Sequence, residues 1–505
     1  MNAAGTARLL FPALRADSEG GFASERERIA AALDLGVGGF IVFGGTADTV
    51  RELVADVRDR APHALLFGAD LERGAGQQFR GATRLPPLAA IGSLDDLETT
   101  RRAGALTAKE ALTLGIDWIY GPVADLDADP RNPIVGTRAF GTAPEVVVRH
   151  VAAWVAGCQS TGALACVKHF PGHGRTTADS HAELPTVDAP RDALAADLLP
   201  FSAGIEAGVA SVMSAHVAFP ALDPSGAPAT LSRPILTDLL REELGFGGIV
   251  VTDALIMEGV HAANRAATDA GVDALAAGCD ALLYPEDPGA LAAAIGQAAA
   301  EARLDPAALA TSAARVDGAA RAAAAVRDAM ARATDGAVGA DADRAWAAEV
   351  ALAALTPLAG DPRLGPGGSV AVIDVDDDLG GPYPPPSRER LPLALEAGGR
   401  RASHLADDGT APGASAEALR AAAEGAACVV AVYADIRAWK GRPGLSERAV
   451  AAVRQVLEAR PDAVVVLFGH PRLAAPLAGS RMVGAWGGEP IMQEAAARHL
   501  LDRTP

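Results

Sequence analysis

The feature that most constrains this chain is a rhythm running through its first 330 residues. Short apolar or β-branched runs recur, each followed by a longer stretch of helical pattern. The runs are 9–14, 39–43, 64–69, 117–123, 163–170, 210–217, 248–252 and 280–284. Continuous apolar strands suit a parallel sheet covered on both faces. Eight strand–helix units over roughly 250–330 residues are what a (β/α)8 TIM-type barrel requires. A doubly wound sheet is the competing arrangement, but no GxGxxG opens the first helical segment.

After residue 333 the rhythm changes. Runs at 369–375, 428–433, 463–468 and 482–486 alternate with helical patterns and predict a smaller α/β layered domain. The expected organisation is a catalytic barrel over 1–333, a linker over 334–345 and a C-terminal domain over 346–505. A Pro-rich loop, Gly380–Ser387, interrupts the second domain.

Composition narrows the function classes. The formal net charge of −19 argues against nucleic acid and against an anionic membrane surface as partners. Four cysteines lie in apolar contexts without CxxC spacing, so buried free thiols are expected rather than a zinc knuckle or a disulfide framework. No convincing eighteen-residue apolar span and no leader pattern are seen, and a cytoplasmic location is the expectation.

Chemistry concentrates in one segment. Lys168-His169-Phe170-Pro171-Gly172-His173-Gly174 and Asp179-Ser180-His181 hold three of the ten histidines and one of only three lysines. Pro171, Gly172 and Gly174 forbid a regular helix, so these side chains sit on a shaped loop after a strand. In a barrel the C-terminal strand ends carry the active site. Asp70, Asp125, Lys168 with His169, His216 and Asp253 all fall there, on five different strands. Each also has a structural reading. Asp253 suits a helix N-cap, His216 a histidine bonding a neighbouring strand end, Asp125 a carboxylate binding loop amides, and His173 a loop tie. Asp179, two residues before His181, has the spacing that orients an acid/base imidazole. A metal-dependent barrel hydrolase is the different-class alternative, drawing on His169, His173, Asp179 and His181. Pro171 and Gly172 break the helical spacing such a site favours, and no cofactor is expected.

These segments resemble the signature of glycoside hydrolase family 3, and more narrowly its β-N-acetylglucosaminidase branch. Further similarity runs in order through Gly121-Pro122-Val123-Ala124-Asp125, Gly136-Thr137-Arg138-Ala139-Phe140-Gly141, Ser214-Ala215-His216 and Thr252-Asp253-Ala254-Leu255-Ile256-Met257. The resemblance implies a retaining mechanism with Asp253 as nucleophile and His181 as acid/base, oriented by Asp179. It implies a sugar pocket formed by Asp70, Arg138, Lys168 and His169, and Asp125, His216 and Met257 are grouped with that pocket. The implied substrate is a small carbohydrate with terminal β-linked N-acetylglucosamine. Phosphate as an alternative acceptor and β-glucosidase activity are the related readings. Two departures stand out. The family's Asp-x-Glu-Gly-Gly-Arg appears as Asp70-Leu71-Glu72-Arg73-Gly74-Ala75, and the second domain is short. Glu489 is expected as an ordinary surface residue.

Overall fold

The computed structural model describes residues 3–180, 183–261, 266–333, 337–365, 368–379, 386–424, 427–435, 440, 442–477 and 479–501. The chain divides into two compact units. The first comprises Met1–Arg84, Asp96–Asp129 and Thr142–Asp343; the second takes Leu85–Asp95, Pro130–Gly141 and Arg344–Pro505. Two short segments of the barrel half of the sequence therefore group with the second unit.

The first unit is a (β/α)8 barrel. Its strands are β1 (Leu10–Phe11), β2 (Ala13–Arg15), β3 (Gly39–Phe43), β4 (Leu66–Ala69), β5 (Trp118–Ile119), β6 (Leu164–Phe170), β7 (Ser211–Ser214), β8 (Ile249–Val251) and β9 (Leu282–Leu283). β2 to β8 form one parallel sheet in sequence order. Pro12, which has no N–H to donate, splits the first strand. Its first half, β1, pairs with β9, while its second half, β2, pairs with β3. A bridge from Val251 to Ala281 joins β8 to the start of β9 and brings the sheet round to its beginning.

Strand parity decides what faces the axis. Phe11, Ile41, Leu66, Trp118, Cys166, Met213 and Val251 pack together inside. The floor is sealed by the helix Pro306–Ala333, which adds Val316, Ala320 and Ala323 to the same cluster. Two aspartates at the N-terminal strand ends lock it in place. Asp117, ahead of β5, holds Arg58 at 2.7 Å and also Arg327. Asp280, ahead of β9, holds Arg241, Arg315 at 3.0 Å and the Ser312 hydroxyl at 2.7 Å. Burial pushes the Asp117 carboxyl up against the pull of its two arginines.

The second unit carries β10 (Thr356–Ala359), β11 (Ser369–Asp376), β12 (Arg401–Leu405), β13 (Ala427–Ala434), β14 (Val464–Gly469) and β15 (Met482–Gly484). The sheet order is β10-β15-β14-β13-β11-β12, parallel except for β10. Alternation along β11 sends Val370 and Val372 to one helical layer and Ile373 and Val375 to the other. Four strand runs are expected, and among the described residues six strands form. Those missed are the edges: β12 is Arg-Ala-Ser-His-Leu, half exposed, and β10 contains Pro357. Edge strands need no apolar run and tolerate proline.

Two further expectations change. Residues 341–345, assigned to a linker, open the helix Asp341–Ala353. Glu489, expected at the surface, is buried at 2% exposure and is the N-cap residue of the helix Pro490–Leu500, where a carboxylate meets the positive end of the helix. Residues 380–385 of the Pro-rich loop lie outside the described residues. All four cysteines are buried and free. Among the described residues, no helix is long and apolar enough to cross a membrane.

Candidate active site

The barrel's parity delivers the polar residues to its C-terminal rim. Leu66 and Gly68 turn inward on β4, so Asp70 continues on the inward register just past the strand. Cys166 turns inward on β6, and Lys168 follows two residues on. Ile249 and Val251 turn inward on β8, and Asp253 follows. Three strands thus point an acid, a base and an acid at one axis by the same periodicity that builds the core beneath them.

Lys168 is 2% exposed, and its Nζ lies 2.7 Å from Asp70 Oδ1 and 2.8 Å from Glu72 Oε1. Glu72 is buried, whereas Asp70 is 30% exposed. The ammonium is held between a buried carboxylate and one that keeps a face open to solvent. Glu72 had no role in the sequence reading. Its sequence signals are its place as the Glu of the Asp70-Leu71-Glu72 segment and the scarcity of lysine in the chain.

Asp125 is fully buried and organises the loop after β6. Oδ1 accepts the backbone N–H of His169 at 3.1 Å and of His173 at 2.7 Å, while Oδ2 accepts His169 Nδ1–H at 2.7 Å. That bond fixes the tautomer and the plane of the His169 ring. The Lys168–His169 and Phe170–Pro171 peptide bonds are cis. His173 is tied on both ring nitrogens, to Thr176 Oγ1 and to Ser180 Oγ, each at 2.9 Å. Burial pulls its pKa down to about 4, so it stays neutral near neutral pH and serves as a loop tie.

Asp253 is partly exposed, and its Oδ1 accepts the Ala254 N–H at 2.7 Å. Its charge reaches both His173 and Cys166: it raises the His173 pKa against the dominant lowering by burial, and adds to the burial that pushes the Cys166 thiol up. The residues around it are fixed from behind. Thr252 N–H donates to Ala281 O and Thr252 Oγ1 accepts the Leu283 N–H, which holds β8 to β9. His216 falls on the parity opposite to Met213 and is fully buried. Its Nδ1 meets Thr230 Oγ1 at 2.8 Å and its Nε2 meets Ala254 O at 3.1 Å. His216 thus braces the peptide next to Asp253. Met257 is buried, and its N–H closes a turn onto the same Ala254 carbonyl at 3.1 Å.

Asp179 is buried, and the Ser180 carbonyl accepts the Gly259 N–H at 3.0 Å, joining the loop after β6 to the loop after β8. His181 lies outside the described residues. Arg138, half-buried on the turn Gly136–Arg138, belongs to the second unit and is not among the residues the barrel itself gathers. Among the described residues, no group of three or more His, Cys, Asp or Glu side chains is arranged to hold a metal ion.

The comparisons with known proteins follow the same lines. The β-hexosaminidase of Nitrosomonas eutropha is 37% identical over 287 residues, covering 54% of this chain and 81% of that protein. The β-hexosaminidase of Chromobacterium violaceum is 39% identical over 287 residues, covering 54% and 78%. Among solved structures, a family 3 β-N-acetylglucosaminidase from a Paenibacillus species superposes with a TM-score of 0.86 at 27% identity, covering 99% of this chain and 97% of that one. The profile of the glycosyl hydrolase family 3 N-terminal domain matches residues 15–319, more than half of the sequence, and so the chain belongs to glycosyl hydrolase family 3.

Proposed function

We propose that this protein is a retaining β-N-acetylglucosaminidase that removes terminal β-linked N-acetylglucosamine from small glycans. Asp253 is the nucleophile and His181 the acid/base, with Asp179 orienting the imidazole. The observation that carries the reading is the joining of two loops: Ser180, between Asp179 and His181, is hydrogen-bonded to Gly259 in the loop that carries Asp253. A retaining glycosidase needs these two functions on opposite sides of one glycosidic bond.

The chemistry follows from the residue types. The Asp253 carboxylate attacks the anomeric carbon and forms a glycosyl ester as the aglycone leaves. His181 gives its proton to the leaving oxygen and then takes one from the water that cleaves the ester. An imidazole, whose unperturbed pKa is ~6.5, suits both transfers around neutral pH. Lys168, held by Glu72 and Asp70, and His169, held by Asp125, present fixed donors to sugar hydroxyls. Arg138 is assigned to sugar hydroxyls in this reading from its sequence motif alone. The four buried free thiols suit a reducing compartment and support a cytoplasmic place of action.

The test is hydrolysis of 4-nitrophenyl β-N-acetylglucosaminide by the wild type and Asp253→Ala, alongside the matching glucoside and with or without phosphate. The expected result is wild-type turnover of the N-acetylglucosaminide that is lost in the variant. Preference for the glucoside would reassign the sugar. Release of sugar 1-phosphate would reassign the acceptor. Full activity of Asp253→Ala would remove the nucleophile assignment.

A further inference from the structure

The acid/base and the nucleophile of a retaining glycosidase act on one bond from two directions, so their separation has to be held. In this barrel they come from loops after different strands, β6 and β8. We propose that Ser180 is the positioning residue that couples them, anchored through its hydroxyl to the β6 loop and through its carbonyl to the loop carrying Asp253. This rests on the assignment of Asp253, Asp179 and His181 given above.

Ser180 is 2% exposed. Its Oγ lies 2.9 Å from His173 Nε2, and its carbonyl accepts the Gly259 N–H at 3.0 Å. The proton positions follow from the neighbours. Thr176 Oγ1 donates to His173 O at 3.1 Å and therefore accepts from His173 Nδ1–H at 2.9 Å. That leaves Nε2 as the acceptor of the Ser180 hydroxyl proton. His173 is itself immobilised, because its backbone N–H donates to the buried Asp125 at 2.7 Å.

On the other side, Gly259 has no room for a side chain. A Cβ there would stand 2.8 Å from Ser180 O and 3.0 Å from His216 O. His216 in turn braces Ala254, whose N–H holds Asp253. Hydrogen bonds therefore run from Asp125 through His173 and Ser180 to Gly259, and His216 separately holds the carbonyl of Ala254, the residue after the nucleophile. Ser180 is the member that stands between Asp179 and His181 in the sequence. Its two anchors act on different atoms, so each can be loosened separately.

A residue that acts by placing the acid/base is needed in proportion to how much the leaving group needs a proton. The test compares Ser180→Ala and Gly259→Ala with the wild type on two N-acetylglucosaminides. One has a 2,4-dinitrophenyl leaving group that departs unprotonated; the other is the N-acetylglucosamine disaccharide, whose sugar leaving group must be protonated. General acid catalysis is worth ~10²- to 10⁴-fold, and misplacement by about 1 Å costs ~10²-fold. The expected result is a fall in kcat/KM of about 10- to 100-fold on the disaccharide in both variants, with the dinitrophenyl glycoside held within about threefold. The dinitrophenyl substrate also reports whether each variant is folded.

Equal losses on both substrates in both variants would mean a merely structural role and would overturn the proposal. So would wild-type behaviour on both. If the wild type turns over neither substrate, the functional reading itself falls, an outcome distinct from a working wild type matched by both variants.

Discussion

His173 offers the sharpest check on the electrostatics of the site. Burial draws its pKa from the ordinary 6.5 down to about 4 in the folded protein. The unfolded chain therefore binds a proton near pH 6.5 that the folded chain refuses until about pH 4. The sign follows: folding is unpenalised above pH 6.5, and the penalty grows as pH falls toward 4, where it levels off. The gap between the two values corresponds to roughly 3 kcal/mol. Replacement by glutamine, which does not titrate, isolates this contribution, since every other ionising group is common to both proteins. Urea unfolding of the wild type and His173→Gln, followed by tryptophan fluorescence at pH 7 and pH 4.5, measures it. Trp118 and Trp154 are buried in the barrel and report on this unit. His173→Gln is expected to be the less stable at pH 7, because the ties to Thr176 and Ser180 are disturbed. The difference should shrink by about 2–3 kcal/mol on acidification. A stability difference that stays constant across this range would refute the neutral, buried imidazole and with it the proton placement along His173 and Ser180.

Other consequences can be measured as readily. Asp280→Ala strips Arg241 and Arg315 of their common carboxylate and should cost about 3–5 kcal/mol in urea unfolding, with kcat at 25 °C unchanged because the residue lies at the opposite strand ends from the site. Lys168→Met leaves Glu72 buried without its cation; kcat/KM on N-acetylglucosaminides should drop by about 10- to 100-fold, measured by steady-state kinetics. The thiols of Cys158, Cys166 and Cys279 are pushed up by burial, Cys166 to about 12. A disulfide reagent at pH 8 should therefore leave them unlabelled until the protein is unfolded.

Much of the barrel was legible because its cause is local. A buried parallel strand has to be a short apolar run, and each of the eight runs contains an observed strand. The rim residues were legible for the same reason: Asp70, Lys168 and Asp253 continue the parity of strands whose lower positions are core. What the sequence did not disclose is partnership across long separations. Asp117 and Asp280 look like polar residues opening apolar runs, and nothing local says that arginines 210 and 35 positions away close on them. Glu72 was likewise invisible as the partner of Lys168, 96 positions on. The edge strands β10 and β12 escaped because a half-exposed strand needs no apolar signature. Glu489 is expected at the surface because the Asp-Ser-His loop leaves it no catalytic task, while its burial at a helix N-terminus depends on where the preceding strand ends.

The helix Pro306–Ala333 has a consequence for dissecting the protein. The family profile stops at residue 319, inside this helix. Cutting the gene at that border would discard Ala320 and Ala323, which complete the barrel floor, and Arg327, which closes on Asp117. The fragment would keep every rim residue of the barrel and still expose the underside of its own core. It would be expected to come out of cells as aggregate, whereas one extended to residue 333 carries its own stopper.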